Sequence, residues 1–129
     1  MKIADFFKMY NIADLSDEKE VLNQIRENYE FIKFVKNPTL EMCLEVVSRD
    51  GYAIRFIKNP SIEVCVAAIN NNGCALKYIE NQTEELCLMA VTKHNLALKY
   101  VKKQTPAICL AAIKYDKNSF WYIDPNIFE

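Results

Sequence analysis

Between Pro60 and Lys103 one pattern of apolar and polar positions is written twice, 22 residues apart. Ser61-Ile-Glu-Val-Cys65-Val-Ala-Ala-Ile69 is followed, in register, by Thr83-Glu-Glu-Leu-Cys87-Leu-Met-Ala-Val91. A fixed period of this size is the signature of a stacked array of small structural units. Within each copy the apolar positions recur at helical spacing. The first helix carries the columns Met42/Val64/Leu86/Ile108, Cys43/Cys65/Cys87/Cys109, Leu44/Val66/Leu88/Leu110 and Val47/Ile69/Val91/Ile113. It is apolar nearly all round, as suits a helix held between neighbours. A tight turn at Asp50-Gly51, Asn72-Gly73 or His94-Asn95 ends it, since Gly and Asn tolerate the left-handed C′ conformation. A short second helix then carries Ala53-Ile54, Ala75-Leu76 and Ala97-Leu98, followed by Phe56-Ile57, Tyr78-Ile79 and Tyr100-Val101.

Placed in the same register, Asp17–Pro38 becomes a degenerate copy, with Leu22, Ile25 and Ile32 over Leu44, Val47 and Ile54. Thr105 opens a last copy in which Pro106 is correctly at N1 and Phe120-Trp121-Tyr122-Ile123 is unusually aromatic. The helix-start column reads Asp17, Thr39, Ser61, Thr83, Thr105, all good N-caps, with acidic residues in the first turns after the first four: Glu18 and Glu20, Glu41, Glu63, and Glu84 and Glu85. Ahead of it, Ile3, Phe6, Phe7 and Tyr10 form one face of a short amphipathic helix, read as a lid on the first unit. The expected fold is all-α: a right-handed-type α-solenoid of about five 22-residue helix-turn-helix repeats with an N-terminal capping helix. The expected boundaries within this one domain (1–129) are 1–16 for the lid and linker, repeats at 17–38, 39–60, 61–82, 83–104 and 105–126, and a cap at 127–129 in which Ile127 and Phe128 cover the last pair.

Composition narrows the function. The net charge is −1, so the molecule as a whole exerts little long-range pull on nucleic acid or an anionic membrane. No apolar run approaches the ~18 residues of a membrane span, and Met1–Asp5 does not open a signal peptide. The chain reads as soluble and cytoplasmic. Of its five cysteines, four stand 22 apart, a ladder that neither converges on a metal nor brings pairs within disulfide reach. They read as small core side chains, with Cys74, off the ladder, as the exposed thiol. His94 occupies a turn position shared with Asp50, Asn72 and Asp116, which points to a turn residue rather than a general base. With no phosphate loop, no metal spacing and no gathered carboxylates, no catalytic residue, metal site or cofactor is expected.

Surface columns carry the remaining information. Lys33, Arg55, Lys77 and Lys99 align along the second helices, joined by Lys36, Lys58 and Lys102, with Glu80 breaking the second line. Such a stripe, at roughly 10 Å intervals, is able to follow a phosphate backbone. A solvated face that complements the helix dipoles is the simpler reading, because Phe34, Phe56, Tyr78 and Tyr100 adjoin core residues and leave no aromatic interleaving. Trp121 falls in the cationic column and is therefore expected at the surface, where Trp favours partner contacts. Columns that vary between units are the other expected partner contacts: Met89 in one, Tyr52 and Leu96 in a second, Arg49, Lys93 and Tyr115 in a third.

Leu88-Met-Ala90-Val91-Thr-Lys-His-Asn95-Leu-Ala97-Leu98-Lys-Tyr100 and Val66-Ala-Ala68-Ile69-Asn-Asn-Asn72-Gly73-Cys-Ala75-Leu76-Lys-Tyr78 resemble the short helical repeats catalogued as domain of unknown function 4116. Their usual reading is L-x-A-V-x-x-N-G-x-A-L-x-Y. The resemblance covers Thr39 to about Tyr122 and implies tandem α-helical repeats of the kind seen in bacteria, phages and large DNA viruses. It implies no catalytic residues. The family carries over no general function; a phage or viral origin would fit an accessory protein that binds and inhibits a host factor, including a defence component. The functional expectation is a non-catalytic protein-binding module. Nucleic-acid binding along the basic stripe and self-association through open repeat ends are the alternatives.

Overall fold

The computed structural model describes residues 17–128. Among the described residues every regular element is helical and there is no β-strand. The α-helices α1 (Glu18–Glu27), α2 (Leu40–Arg49), α3 (Ile62–Asn71), α4 (Glu84–Val91) and α5 (Pro106–Tyr115) alternate with 3-10 helices. The latter are η1 (Tyr29–Phe34), η2 (Gly51–Phe56), η3 (Gly73–Tyr78), η4 (Ala97–Tyr100) and η5 (Lys117–Tyr122). The lid helix expected within residues 1–16 lies outside the described residues.

Each α-helix begins where its cap predicts. Asp17 Oδ1, Thr39 Oγ1, Ser61 Oγ, Thr83 Oγ1 and Thr105 Oγ1 accept from the N–H groups of Glu20, Met42, Val64, Leu86 and Ile108 at 3.1–3.4 Å. The helix ends correct the expectation. Neither Gly51 nor Gly73 has positive φ, and Asp50 and Asn72 before them are extended, at φ −147° and −153°. Asp50 donates its N–H back to Val46, then accepts from the Tyr52 N–H through Oδ1 at 3.0 Å. One residue thus closes α2 and caps η2. Asn28, Asn72 and Asp116 cap the following 3-10 helices in the same way, and His94 Nδ1 accepts from the Leu96 N–H at 3.1 Å. The second helix of each pair is 3-10 rather than α because so short a segment, capped tightly at its start, closes i→i+3 bonds.

Consecutive α-helices pack on one another, consecutive 3-10 helices do likewise, and each of η1 to η4 lies against the α-helix of the following pair. The core fills the space between these two layers. Val46, Ala68, Ala90 and Ala112 are fully buried on the α side; Ala53, Ala75, Ala97 and Ser119 are fully buried on the 3-10 side. Small residues at these facing positions let the layers approach, while Ile54, Leu76 and Leu98 fill the interior, each contributing about 1.5–3 kcal/mol by leaving water. The glycines serve this approach rather than a left-handed turn. A Cβ on Gly73 would stand 2.8 Å from the carbonyl oxygen of Ala90 in α4.

Candidate functional site

The cationic column and the aromatic column are interleaved, contrary to the sequence expectation. Lys33 Nζ lies 5.4 Å from the Phe34 ring and 5.7 Å from Phe56 in the next 3-10 helix. The Arg55 guanidinium lies 4.3 Å from Phe56 and 6.0 Å from Tyr78; Lys77 Nζ lies 5.4 Å from Tyr78 and 5.7 Å from Tyr100. Lys99 closes the series, 5.8 Å from Tyr100. The rings of Phe34, Phe56 and Tyr100 are half-buried and Tyr78 is exposed, so the aromatic column sits at the rim of the core, not inside it. With about three residues per turn in a 3-10 helix, a cation and the ring after it share the rim. Lys33, Arg55 and Lys77 thus lie over their own rings and reach the next. At such an exposed site a cation–π contact contributes about 0.5–1 kcal/mol.

Lys33 is also 3.9 Å from the Glu30 carboxylate, and Arg55 donates to the Tyr52 carbonyl at 2.8 Å. Among the described residues no carboxylate pairs with Arg55, Lys77 or Lys99. Lys36, Lys58 and Lys102 are exposed, and the Lys102 ammonium donates to the Glu80 carbonyl at 3.2 Å. Trp121, next in the column after Lys99, is 79% exposed. It meets Phe120 edge-on with ring centroids 6.2 Å apart. Phe120 occupies the column that Ile54, Leu76 and Leu98 bury, yet is 64% exposed because no following pair covers it among the described residues. Leu110, Tyr115 and Phe128 are more than half exposed on the same terminal segment. Ile127 packs on the core, but Phe128 does not, so the expected C-terminal cap is only half made.

The other expected contact residues are divided by the fold. Arg49 donates to the Arg26 carbonyl and holds Glu45 at 2.8 Å; Tyr115 donates its hydroxyl to the Lys93 carbonyl at 3.1 Å. Asn71, in their column, donates to the Ser48 carbonyl at 3.1 Å. This variable column stitches one pair to the preceding one. Met89 is half-buried against the core, Tyr52 is half-buried edge-on to Tyr78 at 5.8 Å, and Leu96 and Lys93 are exposed.

A feature that sequence reasoning missed lies on the edge formed by the inter-pair loops. Gln82 donates through Nε2 to the carbonyls of Leu76 and Tyr100, at 3.1 and 2.9 Å. Its Oε1 accepts from the Lys102 N–H at 2.9 Å and faces Cys87 Sγ at 3.6 Å. Gln104 repeats all four contacts with Leu98, Tyr122, Asp124 and Cys109. In the earlier loops Pro38 and Pro60 hold this position, and grooves of about 630 and 810 Å³ lie beside them. The groove beside Gln82 is about 280 Å³. The substitution of Pro by Gln at the same register position was the available signal.

Cys74 corrects another expectation. Together with Cys43, Cys65, Cys87 and Cys109 it is a buried free thiol, and burial pushes all five above the usual thiol range. Among the described residues no group of His, Cys, Asp or Glu is arranged to hold a metal ion, and no helix is long and apolar enough to cross a membrane.

No protein-family model, no curated protein and no solved structure matches the chain.

Proposed function

We propose that the chain is a non-catalytic protein-binding module built as an α-solenoid of five 22-residue repeats. The common register of the caps, the cysteine ladder and the alternating α and 3-10 helices supports the repeat architecture. It is also in keeping with the resemblance to the repeats of domain of unknown function 4116. One observation carries the binding reading. Trp121 and Phe120 stand exposed together at the end of a cationic column. Such aromatics supply rigid contact area of the kind that dominates interface energetics. The fitting partner is a protein face with an apolar socket for Trp121 and carboxylates opposite Lys77 and Lys99.

The test is affinity capture from a lysate with and without nuclease, using wild type and the Phe120→Ala, Trp121→Ala double variant. A discrete protein retained after nuclease by wild type and lost by the variant, at unchanged thermal stability, is the expected result. Equal retention by both removes this end of the molecule as the contact.

The cation–aromatic ladder favours a second reading, binding of single-stranded nucleic acid, since a cationic track with rings at its rim suits phosphates and bases. Fluorescence anisotropy with a labelled single strand, repeated at rising salt, decides it. Binding that is lost on replacing Arg55, Lys77 and Lys99 by Glu supports the reading; affinity unchanged by that replacement excludes it.

A further inference from the structure

We infer that the groove beside Pro60 is a recognition pocket for a primary carboxamide, the side chain of a glutamine presented by a partner segment. The inference stands apart from the proposed contact at Trp121 and from the nucleic-acid reading. It rests on the way the chain fills the equivalent space in its later loops. The Gln82 carboxamide uses both ends at once: its NH2 bridges two carbonyls, one in its own pair and one in the next, and its oxygen takes the N–H of Lys102. Gln104 does the same, at 3.4 and 2.8 Å to Leu98 and Tyr122 and 2.8 Å to the Asp124 N–H. A thiol, Cys87 or Cys109, stands at the oxygen in both cases. A carboxylate could not donate, and a thioether has no donor and accepts only weakly, so this frame is selective for an amide.

At Pro60 the same register positions are present without a side-chain amide. The counterparts of the Gln82 partners are the carbonyls of Ile54 and Tyr78, the N–H of Glu80 and the thiol of Cys65. Among the described residues no donor reaches the Tyr78 carbonyl and no acceptor reaches the Glu80 N–H, while the Ile54 carbonyl accepts from Ile57 alone. Tyr78, Glu80 and Cys65 line the groove of about 810 Å³, whose apolar wall is Ile57, Ile79 and Leu86. Proline cannot fill it, since its ring carries neither donor nor acceptor. Asn59 before it is at φ 50°. An incoming glutamine would find its methylene stem against Leu86 and Ile79 and its amide across two successive pairs, as the amides of Gln82 and Gln104 lie.

The probe is N-acetylglutamine N-methylamide, whose side chain is its one primary amide, titrated into the full chain labelled with 15N, with the N-acetyl N-methylamides of methionine and glutamate as controls of matched size. For a ligand of this size a dissociation constant of about 1 mM is within reach. The expected result is a saturable shift of the Glu80 amide resonance by the glutamine probe, with a response at least tenfold weaker to either control. A Pro60→Gln variant, which supplies the amide from within, should show Glu80 shifted from the start, no response to the probe and a raised thermal midpoint. Equal shifts from all three probes, no shift of Glu80 up to the solubility of the glutamine probe, or an undiminished response in Pro60→Gln would each overturn the inference. The comparison of probes is made on the wild-type chain and does not depend on how the variant folds.

Discussion

A Cβ placed on Gly51 would lie 2.4 Å from the carbonyl oxygen of Ala68, so the start of η2 rests directly on the backbone of α3. Backbone cannot yield as the end of a flexible side chain can, and the two layers are spaced by this contact. Replacing Gly51 by Ala is expected to destabilise the fold by about 1–3 kcal/mol through overpacking, a cost larger than the gain from a less flexible unfolded chain. Gly73→Ala, where the nearest atom is Ala90 O at 2.8 Å, should cost less. Urea denaturation of both variants checks the order, and equal costs would contradict it.

Gln82 and Gln104 tie each loop to the next pair. Replacing either by Ala removes their shared set of contacts and strands the Tyr100 or Tyr122 carbonyl without its donor. The expected loss is about 1–3 kcal/mol for each. Hydrogen exchange should show the effect locally, with the Lys102 N–H losing protection in Gln82→Ala and the Asp124 N–H in Gln104→Ala. A uniform loss of protection in both variants would contradict the assignment.

The ladder on the 3-10 helices should be uneven in strength. The Arg55 guanidinium is closest to a ring, at 4.3 Å from Phe56, and also bonds the Tyr52 carbonyl, whereas Lys99 has one ring at 5.8 Å. Arg55→Ala is therefore expected to cost about 1 kcal/mol and Lys99→Ala about half as much or less. Thermal denaturation at low and high salt separates them, with the Arg55 effect persisting at high salt because stacking and packing survive screening.

Burial raises the pKa of Cys43, Cys65, Cys74, Cys87 and Cys109 in the folded chain. Below about pH 8.5 the thiols are protonated in both states and contribute no pH dependence. Above it the unfolded chain releases thiol protons that the folded chain retains, so stability falls as pH rises toward the folded values. The Tyr29 hydroxyl, whose pKa is raised chiefly by its hydrogen bond to Asp50, acts in the same direction at higher pH. The urea midpoint is expected to be flat from about pH 7 to 8 and to decline by about pH 10. In native buffer all five thiols should react slowly with an aromatic disulfide reagent, and rapidly once urea unfolds the chain. Fast reaction of Cys74 alone would show that its burial is mistaken.

Much of this was legible along the chain because it depends on neighbours within a few residues. The cap column from Asp17 to Thr105, the burial of the cysteine ladder and the exposure of Lys33, Arg55, Lys77, Lys99 and Trp121 all follow from local spacing. Contacts between residues some 20 positions apart were decided by how closely one pair settles on the next. That approach buries Cys74, turns Gly51 and Gly73 into contact points instead of left-handed turns, and carries Lys33, Arg55 and Lys77 from their own rings to the following ones. It also commits Arg49 and Tyr115 to stitching and brings the Tyr100 carbonyl and the Lys102 N–H onto one carboxamide. A periodic sequence states which positions recur; the rise and twist between successive pairs determine which of them touch, and those are properties of packed side-chain volumes rather than of spacing.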